Sequence, residues 1–338
     1  MATVGYLLGA GASAECIPVV NAMAQDLSEM VSNVSSIYTR FEDTVGYYVQ
    51  DDEGKGNKVG NMLNDLAEIC KNHYSIDTYA KKLFLTDAEA FKRLKLDLSL
   101  YFTLKQILTT SDRRYDNFFS SILNNDLKLP SKIKIISWNY DFQIEKSYLE
   151  FNKTLHLNSS RSWLGLTVPS EWSNHSKYTN KFNIIKLNGS ARIKTNDYDG
   201  YLVTTANNSD RSKNASGAID IYLNIIEGNV PYECELKFAW ENEHHEKLFE
   251  SALDLSKITV LVIIGYSFPF FNREVDLALF SKMTQLTKIY IQDRNPENII
   301  ETMSEFLDLS GSYKGSIEVV QKRNLNQFVF PTELDIIS

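Results

Sequence analysis

Six short apolar runs set the limits on how this chain can fold. They are VGYLL (4–8), IKIIS (133–137), NIIKL (183–187), ITVLVII (258–264), KIYIQ (288–292) and IEVV (within 316–320). Several are apolar at successive positions, not at alternate ones. A strand with one wet face alternates apolar and polar residues, whereas a strand covered on both faces does not. Helical patterns separate the runs. Met23, Leu27, Met30 and Val31 share a face after Pro18, and Phe249, Ala252 and Leu255 do so just before 258. Asn295 and Pro296 read as an N-cap and first-turn proline, followed by the stripe Ile299, Met303, Phe306 and Leu307. Strands alternating with helices predict an α/β fold: a Rossmann-like, doubly wound, mostly parallel sheet, built as one domain over residues 1–338.

Roughly 120 residues separate the first run from the second, far more than one crossover requires. Residues 62–72 read as helix, with Met62, Leu66, Ile69 and Cys70 together. Thr86 to Glu89 reads as a capping box opening a helix through Leu108, and Tyr115–Leu123 as a further helix. Residues 40–130 are therefore expected to form a helical insertion. The stretch DDEGKGNKVGN (51–61) within it reads as a mobile loop. Residues 150–180 and 191–238 are polar, rich in Asn and Ser, and read as accessory loops.

Composition excludes several classes. The 43% of hydrophobic residues supports a sizeable core and argues against wholesale disorder. A formal net charge of −8 argues against direct nucleic-acid binding. No stretch of 18 apolar residues exists, so no membrane span is expected. The opening MATVGYLL lacks a basic flank and reads as a first strand, not a signal peptide. Cys16, Cys70 and Cys234 are far apart, so neither a metal site nor a disulfide framework is expected, and a reducing cytoplasm is the natural compartment.

Chemistry-bearing residues gather where the runs end. After the first run come Gly9, Ala10, Gly11, Ala12 and Ser13, then Ile17 and Pro18. Glycines there allow a backbone to approach a pyrophosphate, although a plain strand–turn–helix needs glycine as well. After the second come Trp138, Asn139, Tyr140 and Asp141, then Glu145. Asn139 and Asp141 either face a ligand crevice or cap a turn. Trp138 and Tyr140 read as core packing. The third run ends in Leu187-Asn188-Gly189-Ser190 and the fourth in Gly265-Tyr266-Ser267. After the fifth, Asp293 suits a ribose hydroxyl and Arg294 a phosphate, or both form a charged turn.

Four of these motifs, in this order, resemble the Sir2-like family in its zinc-free anti-phage branch. GAGAS with Ile17-Pro18 is similar to the family's NAD-binding start, SWNYD to its [ST]xNxD element, KLNGS to its KLHGS element and IIGYSFP to its GxS turn. SIDTYAKKL (75–83) is also similar to that branch. The resemblance implies NAD+ as substrate, with hydrolysis to nicotinamide and ADP-ribose and phage defence by NAD depletion. It implies NAD+ contacts at Gly9, Ala10, Gly11, Ala12, Ser13, Pro18, Asn139, Asp141, Gly265, Tyr266, Ser267, Asp293 and Arg294. The catalytic set carried over is Asn139, Asp141 and the residue at 188. No metal is implied. The NAD versus NADP preference stays open.

Two departures change the expectation. The four cysteines of classical sirtuins are missing, which disfavours a deacylase; an ADP-ribosyltransferase is a minor reading. The family's catalytic His is Asn188 here, an amide that cannot accept a proton near neutral pH. The chain is therefore expected to bind NAD+ and hydrolyse it poorly, through an engineered His-to-Asn change or as a natural pseudo-enzyme. The alternative is a non-catalytic NAD or ADP-ribose sensor. None of the five histidines is placed by spacing to act as a substitute base. A toxic activity needs restraint, so a homo-oligomer or an activating partner, such as an ATPase or a nucleic-acid-guided protein, is expected.

Overall fold

The structure, a computed structural model, describes residues 2–45, 52–152, 157–169, 181–195, 211–241, 255–310 and 317–334. Its centre is a seven-stranded sheet of β1 (Thr3–Leu8), β2 (Ile133–Ser137), β3 (Leu166–Thr167), β4 (Asn183–Lys186), β7 (Ile258–Ile264), β8 (Lys288–Gln292) and β9 (Glu318–Lys322). Between β4 and β7 in the chain lie the short strands β5 (Ile193–Thr195) and β6 (Tyr232–Cys234), which pair antiparallel with each other. The sheet order is β3-β4-β2-β1-β7-β8-β9, and every pairing in it among the described residues is parallel. This is the α/β, Rossmann-like, doubly wound architecture expected from the apolar runs.

The runs lack alternation because both faces of the sheet are covered. Leu7, Ile136, Ile263 and Ile291 point to one face and pack with Leu279, Phe280 and Met303. Those three lie on α9 (Arg273–Lys282) and α10 (Pro296–Ser310). Tyr6, Leu8, Ile135 and Val262 point to the other face and pack with Tyr115, Phe118, Phe119 and Tyr148. These come from α5 (Arg113–Ile122) and α6 (Gln143–Phe151). Successive residues of one strand thus enter different cores.

The chain divides into two compact units. One comprises residues 1–15, 111–190 and 237–338 and holds the large sheet; the other comprises 16–110 and 191–236. The second unit holds α1 (Met23–Val45), α2 (Asp52–Asn72), α3 (Ile76–Thr86), α4 (Ala88–Leu108), α8 (Arg211–Ile226) and the β5–β6 pair. Its bounds differ from the expected insertion at 40–130. It begins with α1 and takes in α8, while α5 belongs to the sheet unit.

Several local expectations need correction. The stretch 51–61 is no mobile loop where it is described: Asp52 opens α2. Val59, Met62, Leu63 and Leu66 are buried at helical spacing, and that burial outweighs the poor propensity of the glycines. The α4 cap is Asp87, whose side chain accepts from Ala90 N, and Thr86 instead ends α3. Ser75 caps α3 by accepting from Thr78 N, which accounts locally for the start of SIDTYAKKL. The accessory region 150–180 carries α7 (Leu157–Trp163) and β3, and 191–238 carries the 16-residue α8. Phe249, Ala252, His156, His175, His244 and His245 lie outside the described residues.

Candidate functional site

Because the strands are parallel, their carboxyl ends share one edge, and the loops carrying the motifs leave from it. The order β4-β2-β1-β7-β8 sets the KLNGS, SWNYD, GAGAS, GYS and QDR segments side by side. The chain crosses from one half of the sheet to the other at β1. In open α/β sheets such a switch point is where ligands bind.

After β1, residues Ala10–Ser13 form a single 3-10 turn. Gly9 N donates to Ile264 O at 3.0 Å, Gly11 N to Gly265 O at 3.0 Å, and Gly265 N to Gln292 O at 3.1 Å. A Cβ on Gly9 would lie 2.5 Å from Gly265 O, and one on Gly11 would lie 2.6 Å from Gly265 Cα. Gly265 has φ +56, and a Cβ there would meet Gly11 Cα at 2.4 Å. The glycines are thus already required by the approach of two loops to each other. Ala10 is exposed, Ala12 is buried in the core, and Pro18 belongs to the other unit.

Ser13 is fully buried and joins two motifs. Its hydroxyl lies 3.2 Å from the Tyr115 hydroxyl and accepts from Asn139 Nδ2 at 3.3 Å. Asn139 N donates to Ser137 Oγ at 3.1 Å, fixing the turn that presents the amide. Asp141 Oδ1 accepts from Gln143 N at 3.0 Å, so it also shapes the entry to α6. Burial raises the Asp141 carboxyl above the usual range, against the pull of the Lys186 charge. Burial likewise raises the Tyr115 phenol, reinforced by the Asp141 charge.

Lys186, the last residue of β4, lies beneath this turn. Its ammonium donates to Glu145 Oε1 at 2.7 Å and Oε2 at 3.0 Å, donates to the backbone carbonyl of Asp141, and sits 5.1 Å from the centre of the Phe142 ring. Lys186 and Glu145 are fully buried. A second pair supports the first motif. Arg114 grips Asp112 through Nε at 3.0 Å and Nη2 at 2.6 Å, and donates from Nη1 to Gly11 O at 3.1 Å. Residue-type reasoning missed Lys186 and Arg114, because each binds backbone brought near only by the fold. A charged residue ending an otherwise apolar strand was the available signal for Lys186.

Asn188 is 7% exposed. Its Nδ2 donates to Trp138 O at 3.3 Å and lies 3.5 Å from the Tyr140 hydroxyl. Its backbone carbonyl accepts from Lys237 N at 2.8 Å. Asn188 Oδ1 and the Ser190 hydroxyl are buried and have no hydrogen-bond partner among the described residues. Two unsatisfied polar atoms in one turn are costly, and a ligand or water would relieve them.

The remaining expected residues divide between edge and core. Ser267 and Arg294 are exposed, and Asp293 is half-buried with Oδ1 accepting from Asn295 N at 2.9 Å. Asp293 therefore closes the turn into α10. Tyr266 is buried, its ring stacked on Trp138 with centroids 5.9 Å apart. Its hydroxyl donates to Asp276 Oδ2 at 2.6 Å and accepts from Asn272 at 3.1 Å. Of GYS, only the backbone and Ser267 remain for a ligand.

Burial pushes the Asp276 carboxyl up to about 8 from an ordinary 3.8, against the hydrogen bond from Tyr266. A carboxyl that keeps its proton only in the folded state stabilises fully below its unfolded pKa. That contribution is lost as pH rises through the folded value. Between pH 3.8 and about 8, the Tm of Asp276→Asn relative to the parent is therefore expected to climb. The amide keeps an acceptor for Tyr266 and carries no charge. Thermal melts across that window check this, and a difference flat in pH would show that Asp276 is ionised in the fold.

Among the described residues no group of His, Cys, Asp and Glu could hold a metal ion, and no helix is long and apolar enough to cross a membrane. The three cysteines form no disulfide with one another. Compared with known proteins, the chain matches no family model and no curated protein.

Proposed function

We propose that the carboxyl edge of the sheet binds NAD+ and that the chain is a Sir2-like NAD+ hydrolase with turnover held down by Asn188. The observation that carries this reading is the meeting of three motifs in one buried network. Ser13 accepts from Asn139, Asn188 bonds the carbonyl next to Asn139, and Asn188 Oδ1 is left without a protein partner.

Cleavage of the nicotinamide–ribose bond passes through an oxocarbenium-like state, as in other glycosidic cleavages. Nicotinamide leaves as a neutral molecule, so no general acid is needed. The requirements are a rigid pocket, a placed water and a base. Asn139 and Ser13 supply rigidity, and Asn188 can orient a hydroxyl or a water. It cannot take a proton. Asp141 is spent on the α6 turn and held by buried neighbours. On this reading the setting is anti-phage NAD depletion in the cytoplasm, restrained by a homo-oligomer or an activating protein.

A non-catalytic NAD or ADP-ribose sensor is the second reading, and Asn188 itself favours it. Calorimetric titration with NAD+ tests the shared part. The parent chain is expected to bind, and Asn139→Ala to bind about tenfold or more weakly, because the buried Ser13 hydroxyl loses its donor. A folded parent that takes up neither NAD+ nor ADP-ribose would overturn both readings. Binding without nicotinamide release by the parent fits both readings, and the Asn188→His variant separates them.

A further inference from the structure

The second unit contains a cavity that the proposed NAD+ site does not use. It measures about 380 Å3 and is formed by α2, α3 and α4. This is within the size range of small-molecule pockets. Its floor is apolar: Met62, Leu66, Ile69, Leu83 and Leu94. Its polar wall holds Asp65, Arg93, Asp97 and the Tyr79 side chain.

The charges on that wall do not cancel. Arg93 Nε donates to Asp97 Oδ1 at 2.7 Å, and Tyr222 OH donates to the same oxygen at 2.7 Å. Arg93 Nη2 donates to the Tyr222 hydroxyl at 2.7 Å. The guanidinium is thus matched by Asp97 and held in a fixed triangle. Asp65 has no hydrogen-bond or ion-pair partner among the described residues, and its charge acts on Asp97 across the wall. One carboxylate is left over, beside a second whose Oδ2 makes no hydrogen bond among the described residues. An apolar floor beneath a wall of net charge −1 fits a ligand with a cationic head and an apolar body.

We propose that this cavity binds a small organic ammonium ion, its charged head between Asp65 and Asp97 and its apolar body over Leu66, Ile69 and Leu94. An ammonium provides three donors for the two carboxylates, while the aliphatic or aromatic part covers the half-buried Ile69 and Leu83. The proposal is independent of any reading of the sheet edge.

Phenethylamine is the probe, with 2-phenylethanol as its neutral partner and phenylalanine as its zwitterionic one. Calorimetry on the full chain is expected to give binding of the amine about tenfold or more tighter than the alcohol. Asp65→Asn, at an exposed position, is expected to erase that preference without changing the thermal melt. Ala90→Trp is expected to abolish binding of all three by filling the cavity. It lines the pocket from a half-buried position, so no core side chain is removed. The proposal is overturned if the alcohol binds as well as the amine, if phenylalanine binds most tightly, if Asp65→Asn keeps the preference, or if the amine does not bind the folded parent.

Discussion

Asn188→His is expected to raise nicotinamide release from NAD+ by roughly 10²–10⁴-fold over the parent chain, the usual worth of a placed base. The geometry already suits an imidazole. Asn188 Nδ2 donates to Trp138 O at 3.3 Å, and a ring N–H at the same place would keep that bond. The opposite ring nitrogen would then be the acceptor, one bond beyond the place of Asn188 Oδ1, which has no partner among the described residues. The proton-accepting form is the neutral ring, so the gained rate should rise with pH through about 6.5, the ordinary histidine pKa. Asn139→Ala added to Asn188→His should remove the gain. Chromatographic assay of nicotinamide measures all three chains. A histidine variant that folds, binds NAD+ and releases no nicotinamide points to the sensor or to a required activator that the assay lacks.

Lys186→Met is expected to cost about 3–5 kcal/mol of stability, because it strands the buried Glu145 carboxylate without its partner. The Asp141 carbonyl loses its donor in the same step. Replacing both ends, as Lys186→Met with Glu145→Leu, should recover most of the loss, since two apolar side chains of similar volume can pack against Phe142. Urea unfolding of the three chains measures it. A single-substitution cost below about 1 kcal/mol would assign the pair the small worth of an exposed bridge. The double chain is also informative about the turn. With stability restored and the Asp141 carbonyl still unheld, any loss of NAD+ binding reports the positioning of Asn139.

The sheet was legible in the sequence because its signal is local. A doubly covered strand must be apolar at successive positions, and Val260 to Ile264 obeys that rule whatever surrounds it. The strand-end motifs were legible for the same reason. The unit boundary was not, because α8 joins the second unit from more than 100 residues beyond α4. Its apolar positions, Ala215, Ala218, Ile219, Tyr222 and Leu223, do have helical spacing. All but Ala215 follow a polar opening, RSKNASG, that reads as loop. The stretch 51–61 misled in the same direction, its glycines outweighing Val59 and Met62 in a local reading. The structure also gives the glycines at 9, 11 and 265 a use in packing that a motif reading assigns to phosphate. Within the site, side chain to side chain bonds such as Ser13 to Asn139 depend on the register of β1 with β2, Leu8 opposite Ser137. No window of sequence carries that pairing.

The central place of β1 has a consequence for biosynthesis. Val4 lies opposite Ile133 on one side and Val260 on the other. At roughly 5–20 residues per second, a ribosome needs on the order of ten seconds or more to make β7 after β1. During that interval β1 lacks one neighbour, and its Leu7 and Leu8 lack the cores they later enter. The helices α1 to α4 are made first, with α1 packed on α2 nearby in sequence and only α8 still to come. Nascent chains should therefore present a helical unit beside an incomplete, sticky sheet, a natural client for a chaperone that shields apolar strands until translation has passed Ile264.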